Sequence, residues 1–498
     1  MRQPYIRKVE LFFTPAEQKD VCSFLTDARA RLHLSRKHTQ MLLEDHIHAL
    51  RYYRQSGLSL RESMQRLDPA QLGDFYLVER NDWYPLDHAA KIYPLSMSQK
   101  RMTIFRISGY LNNPIVPELL QMALTYTIKR FPYFATTLKS GFFWHYLDNA
   151  MRRFTVREET KLPCSVMRVN EGVSPSLRVV YYQNRVSVEF FHILTDGTGA
   201  SIFLRSLLRE YLRLLGHDIP ASEGIFDASA PPEPKEWRDD FVIGDKSPGA
   251  HGFMDKQAVQ LRGMPSYLKP NRVLHYNLSV EALRAKAKEY GVTITALLLG
   301  CLLLACKEAA MPERGKPRWG KRKIQIQLPV NMRKYYPSET LRNFALYCSV
   351  RLHPSEITTL EEILPAVTAQ IKEGGSKERL DETMHLTRRL VKTLRFFPMV
   401  VKRPLVYLIY GTLSEAVFTT TFSNLGAIRL PPEMTPFVEK FDFILGPPDT
   451  SRANFALCSF EDKAVLTVTK NTALTVLEDA LYRLLCEAGL APYMEGSG

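Results

Sequence analysis

From Arg185 to Ser201 the chain reads Arg-Val-Ser-Val-Glu-Phe-Phe-His-Ile-Leu-Thr-Asp-Gly-Thr-Gly-Ala-Ser, and no other stretch restricts its folding so tightly. Val186, Val188 and Phe190 are apolar while Arg185, Ser187 and Glu189 are polar, the period-two pattern of a half-buried strand. His192 shares the parity of the apolar residues, so the pattern points its imidazole inward, whereas Phe191 has the opposite parity. Beyond Asp196 the period changes. Ile202, Phe203, Leu204, Leu207, Leu208, Tyr211, Leu212 and Leu215 recur at helical spacing, and Gly216 stands where a C-terminal cap belongs. Strand, sharp turn and helix thus present a histidine from a strand end toward an interior, a place where catalytic groups are often held. Two plainer readings stay open on residue chemistry alone: a hydrogen-bonded core histidine, and an Asp-Gly-Thr-Gly run that is only a turn. A metal pair of His192 and Asp196 at i, i+4 is rejected. The strand pattern and the glycines argue against one helix through both, and no second cluster has ligand spacing.

A chain of 498 residues with 45% hydrophobic content can bury a large core, and its length suggests two to four domains. Met1-Arg-Gln-Pro-Tyr-Ile-Arg-Lys leads into no apolar run, so no signal peptide is expected. The most apolar stretch, 292–306, is short of the roughly 20 residues that span a bilayer and reads as a helix buried on all sides. Seven scattered cysteines without a Cys-x-x-Cys suit reduced thiols, hence a cytoplasmic protein. Three regions follow. Residues 1–82 form a helical extension with stretches near 15–30, 36–54 and 58–70, expected to pack on the main body. Residues 83–262 form a first lobe with strands at 103–108, 176–183 and 185–192. Residues 263–498 form a second, with a helix at 279–290 and strands at 323–330, 345–352, 416–422 and 464–469. The proline-rich passage 218–264 joins the lobes and is expected on the surface.

The His-Ile-Leu-Thr-Asp-Gly of 192–197 resembles the His-His-x-x-x-Asp-Gly signature of the chloramphenicol-acetyltransferase-like acyltransferase superfamily, which includes condensation domains, BAHD acyltransferases, wax ester synthases and alcohol acetyltransferases. Four further stretches stand in that superfamily's order. Gln121 to Tyr133 resembles the early helix ending in Arg-Phe-Pro, and Ile324 to Arg333 the strand ending in Asn-x-Arg. Leu341-Arg-Asn343-Phe344 resembles Gly-Asn-Phe, and Thr419 to Gly426 the Ser-Asn-x-Gly element. The likeness covers roughly residues 83–498, and the bacterial alcohol-acetyltransferase-like proteins resemble the chain most. It implies an α/β (α+β) fold of two lobes, with mixed sheets, helices and a tunnel between them. Two positions depart from the pattern: Phe191 replaces the first histidine, and Arg342 replaces the glycine.

The resemblance implies His192 as catalytic base, with Asp196 and Gly197 shaping its turn. Arg333 would pair with Asp196, and Asn343 would have a structural place at the site. Ser423, Asn424 or a hydroxyl of Thr419 to Thr421 would supply an oxyanion donor. Histidine suits acyl transfer because its pKa near 6.5 lets it take and return a proton at neutral pH. The expected co-substrate is acyl-coenzyme A, with no tightly bound cofactor, and the acceptor a small alcohol or amine. A carrier protein as donor and a non-catalytic binding protein are the alternatives. The net charge of +14 permits an anionic partner. Lys321, Arg322 and Lys323 are candidates for the coenzyme's phosphates. The basic, apolar segment 388–411 suits peripheral membrane contact. No nucleic-acid module accompanies these clusters, and that partner is set aside.

Overall fold

The computed structural model describes residues 4–78, 83–91, 93–96, 102–149, 152–167, 175–242, 257–264, 272–315, 317, 319–402, 404, 417–448 and 451–497. Its strands are β1 Trp83–Pro85, β2 Ile104–Leu111, β3 Thr136–Ser140, β4 His145–Asn149, β5 Val156–Glu158, β6 Leu177–Tyr182, β7 Arg185–Phe191, β8 Arg272–Ser279, β9 Ile324–Asn331, β10 Ala345–Leu352, β11 Thr420–Ala427, β12 Val438–Leu445, β13 Ala453–Phe460, β14 Lys463–Lys470 and β15 Tyr493–Ser497. They make a mixed five-stranded sheet, β12-β2-β7-β6-β5, and a mixed seven-stranded sheet, β10-β9-β11-β13-β14-β8-β15. A small antiparallel sheet, β1-β4-β3, completes them. Each large sheet has its own apolar core, and the fold is the two-lobed α/β arrangement that the motifs imply.

β7 runs down the middle of the five-stranded sheet, antiparallel to β2 and β6. Val186, Val188 and Phe190 are buried as their parity predicts. The strand differs from expectation on its other face, since Ser187 and Glu189 are buried too. The reason is ionic. Glu189 accepts from Arg106 and Arg178 and from the Cys164 N–H at 2.7 Å, so the segment around Cys164 closes over a satisfied carboxylate. Asp196 then caps the helix Gly197–Leu215, accepting from the Thr198 and Gly199 N–H groups, and Gly216 ends it in the left-handed region at φ +103°.

At Gly199 the backbone of Leu341, from the second lobe, lies close against this turn. A Cβ there would stand 2.3 Å from the Leu341 carbonyl oxygen and 2.2 Å from Thr195 Oγ1. The Thr195 hydroxyl itself donates to that carbonyl at 2.6 Å. Gly199→Ala is therefore expected to cost about 1–3 kcal/mol of stability by overpacking, read as a lowered denaturant midpoint with an unchanged slope.

The helical extension packs on the first lobe and shares its core. Asp45 takes both guanidinium arms of Arg153 at 2.5 and 2.6 Å, and Tyr53 donates to the Leu214 carbonyl at 2.6 Å. The expected helix at 58–70 is shorter, Leu60–Arg66, because Pro69 stops it and opens a separate 3-10 turn. In the second lobe the apolar run becomes the helix Ile294–Ala310, capped by Thr293, with Ala296 to Cys306 all buried. Among the described residues no single helix is long and apolar enough to cross a membrane.

Two features tie the lobes. β12, from the last part of the chain, adds to the first lobe's sheet against β2. The connecting passage is less superficial than expected: Glu236, Asp240 and Phe241 are buried. Glu236 receives both arms of Arg130 at 2.5 Å, from the Arg-Phe-Pro motif, while its carbonyl accepts the Leu341 N–H at 2.5 Å. Asp240 accepts from Ser338 at 2.5 Å. The passage is thus a strap across the loop 332–344.

Candidate active site

His192 stands one residue beyond β7, half-buried, with its N–H bonded to the Thr103 carbonyl at 2.8 Å. Its ring packs edge-on to Phe105 and tilted against Tyr93, with centroids at 5.0 and 5.2 Å. Nδ1 lies 2.9 Å from Asn343 Oδ1. Burial lowers the imidazole's pKa below its ordinary value; its own carbonyl, Asp196 and Asn343 pull it partly back. Burial thus favours the neutral imidazole.

The turn below is fixed by one carboxylate. Asp196 Oδ1 accepts two N–H groups of the helix start, while Oδ2 accepts from Arg333 Nη1 at 2.7 Å and the Phe344 N–H at 2.9 Å. Arg333 follows β9 in a 3-10 turn and also donates through Nη2 to the Thr340 and Arg342 carbonyls, at 2.7 and 2.8 Å. Asn331 reaches Thr198 Oγ1 at 3.2 Å from the same strand end. This arrangement carries residues 340–344 to the histidine.

Sequence reasoning missed Asp87. It is fully buried, accepts the Ala90 N–H at 2.6 Å, and receives Asn343 Nδ2 at 3.1 Å. Arg342, where the superfamily pattern has glycine, is buried beside it. The Arg342 guanidinium lies 3.7 Å from Asp87, donates to the Pro85 carbonyl at 2.6 Å and the Trp237 carbonyl at 3.2 Å, and lies 4.8 Å over the Tyr133 ring. The departure at 342 is a strut under the site. His88 and Asp239 form a neighbouring pair at 2.7 Å. Asp87 sits in a short Leu-Asp-His run with no periodicity to flag it, and its contacts to Asn343 and Arg342 are what mark it. Phe191 is buried opposite Ile104 on β2, in the core of the first lobe.

The other predicted residues divide. A Cβ on Gly197 would lie 2.8 Å from Leu425 Cδ1, which places the end of β11 against the Asp-Gly turn. Ser423 is half-buried on β11. Asn424 is exposed, its amide donating to Thr295 Oγ1 at 3.0 Å and its carbonyl accepting the Gly426 N–H at 2.8 Å. Thr419 and Thr420 are buried and spend their hydroxyl protons on the Val259 and Ala453 carbonyls, at 2.6 and 2.7 Å, so neither can donate to an oxyanion. Lys321, Arg322 and Lys323 are exposed before β9, at the end opposite Asn331 and about 25 Å from it at a strand's rise per residue. Of the basic, apolar segment, residues 403 and 405–411 lie outside the described residues. A hollow lined by Leu261, Arg452, Lys470 and Leu477 touches none of the predicted site residues. Among the described residues no group of three His, Cys, Asp or Glu could hold a metal.

No family model matches this sequence, and no curated protein matches it. Solved structures match the fold. Trichothecene 15-O-acetyltransferase from Fusarium sporotrichioides aligns at 14% identity over 82% of this chain and 94% of its own, with a TM-score of 0.52. Polyketide synthase associated protein 5 from Mycobacterium tuberculosis aligns at 12% identity over 81% and 97%, TM-score 0.53. The starter condensation domain of rhizomide synthetase, solved as a mutant with C8-CoA, aligns at 12% identity over 82% and 95%, TM-score 0.53. The chain therefore has the fold of the chloramphenicol-acetyltransferase-like acyltransferase and condensation domains.

Proposed function

We propose that this protein is an acyltransferase that moves an acyl group from acyl-coenzyme A to the hydroxyl or amine of a small acceptor, with His192 as general base. The observation that carries the reading is the bond between His192 Nδ1 and Asn343 Oδ1, which commits one ring nitrogen and leaves Nε2 for the acceptor. The acceptor's proton passes to Nε2 as its oxygen or nitrogen attacks the thioester carbonyl. Collapse of the tetrahedral intermediate breaks the carbon–sulfur bond, and the same proton passes to the leaving thiolate. Neither an acyl-enzyme nor a cofactor enters the scheme. Ser423 is the donor proposed for the oxyanion, since Thr419, Thr420 and Thr421 spend their hydroxyl protons on the Val259 and Ala453 carbonyls and on Gln327 Oε1, and Asn424 is exposed. Asp196 and Arg333 hold the turn and take no part in proton transfer.

Several lines support the reading: the shared fold, the motif order, and a half-buried imidazole at the meeting of the lobes whose surroundings favour its neutral form. Kinship with alcohol acetyltransferases rests on the motifs. A cytoplasmic setting is proposed from the seven cysteines, all thiols here. A condensation-type enzyme using a carrier protein is the second reading, favoured by the condensation domain among the structural neighbours. A donor panel separates the two. Thiol release from acetyl- or longer acyl-coenzyme A with simple alcohols and amines supports the first, and release only from an acylated carrier protein supports the second. No turnover with any donor, with equal ligand binding by wild type and His192→Ala, points to a non-catalytic protein.

The pH profile is a further expectation. A base must be neutral, so kcat/KM falls as pH drops through the His192 pKa. Burial lowers that pKa, so the midpoint of the acid limb is expected below 6.5. A midpoint above 6.5 in the free-enzyme profile speaks against His192.

A further inference from the structure

We propose that Asp87 is a positioning residue that selects the tautomer of His192 through the side-chain amide of Asn343. The proposal rests on the reading of His192 as base, but its first test does not. An ionised carboxylate only accepts hydrogen bonds, so the group that Asn343 turns to Asp87 must be its NH2. The amide is planar, and its carbonyl oxygen is then the atom left to face His192, at 2.9 Å from Nδ1. A carbonyl only accepts, so Nδ1 must carry the ring proton, and Nε2 is left with the lone pair a general base needs. Burial, with Asp239 facing the same carboxyl, pushes the Asp87 pKa up to about 6, and Arg342 at 3.7 Å holds it from rising further, so the carboxylate is the main form at neutral pH, where the relay operates. The chain of contacts runs carboxylate to amide to imidazole without a gap and involves side chains from three separate segments.

The test is nitrogen NMR on full-length protein with labelled histidine at neutral pH, in the absence of substrate. His192 is identified among the 12 histidines by the signal lost in His192→Gln. The proposal expects wild type to hold the proton on Nδ1 alone and Asp87→Asn to show both tautomers, because an asparagine there accepts or donates and frees Asn343 to turn. Asp87→Asn is expected to lower kcat with KM unchanged, by no more than the roughly 10²–10⁴ that a positioned base supplies. An Nε2–H tautomer in wild type overturns the proposal without any variant, and so does an unchanged Nδ1–H tautomer in folded Asp87→Asn. The expected tautomers in a protein that transfers no acyl group leave the relay standing and remove the proposed reaction.

A separate surface carries a second inference. Phe142 and Phe143, in the loop between β3 and β4, are 72% and 45% exposed, and Phe396 and Val400 are 68% and 84% exposed. These two segments are clasped together: the Met399 N–H donates to the Phe142 carbonyl at 3.0 Å, and buried Lys402 donates to the Phe143 carbonyl at 2.5 Å from above the Trp144 ring. Arg389, Lys392 and Arg395 flank them, exposed, and the sequence holds no acidic residue from 383 to 414. Exposed aromatic and aliphatic side chains beside exposed cations match an anionic lipid surface in both chemistry and charge. We infer that this face docks on anionic membranes.

Sedimentation of the full chain with phosphatidylcholine vesicles, with and without phosphatidylglycerol, tests it. Binding is expected only with the anionic lipid. It should weaken as salt rises and fall at least tenfold in Phe142→Ser/Val400→Ser. No binding to the anionic vesicles overturns the proposal, as does binding that the double variant leaves intact. A vesicle-blind face that instead binds an acylated carrier protein, and loses it in the same variant, also overturns it.

Discussion

His192→Ala is expected to abolish acyl transfer, lowering kcat/KM by at least about 10²-fold while the fold survives, because proton transfer by a positioned base is worth roughly 10²–10⁴ in rate. The side chain is half-buried, and among the described residues it has a polar side-chain contact with Asn343. Its removal leaves Asn343 still anchored on Asp87. Circular dichroism and the denaturant midpoint should therefore change little, and activity should change greatly. A variant that loses both together would mean that the imidazole is a core residue, the plainer of the readings its strand parity allows.

Asp196→Ala is expected to do the reverse. Its carboxylate takes the Thr198, Gly199 and Phe344 N–H groups and Arg333, and it is 5% exposed. Removing it takes the cap from the helix Gly197–Leu215, worth about 1 kcal/mol. It also leaves a largely buried guanidinium unpaired, and breaking a buried pair costs roughly 3–5 kcal/mol. Loss of several kcal/mol in chemical denaturation, with activity falling in step with the folded fraction, is the expected result. Asp196→Asn that is stable, soluble and inactive would give the carboxylate a part in proton transfer and contradict the structural role.

The sequence made the centre of the site legible because its elements are local. The period-two run before His192 and the period-3.6 run after Asp196 require only neighbours in the chain, and both elements form. The helix Ile294–Ala310 was readable for the same reason, as the most apolar stretch of the chain. What was not legible depends on distant partners. Glu189 reads as solvent-facing until Arg106 and Arg178 are brought to it, and Arg342 reads as a departure until Asp87 lies beside it. β12 belongs by sequence to the second lobe, yet its pairing with β2 is set by the crossover. The threonines of 419–420 fit an oxyanion role by residue type alone. Only their carbonyl partners show that the hydroxyl protons are already committed.

The central claim is that His192 takes the acceptor's proton while the thioester is attacked. It is tested most directly by following coenzyme A thiol release and the mass of the acylated acceptor in one reaction, for wild type and for His192→Ala. The account predicts equal amounts of thiol and acylated acceptor with wild type, and both formed at least about 10²-fold more slowly with His192→Ala. Acylated acceptor formed at the wild-type rate by folded His192→Ala would contradict it.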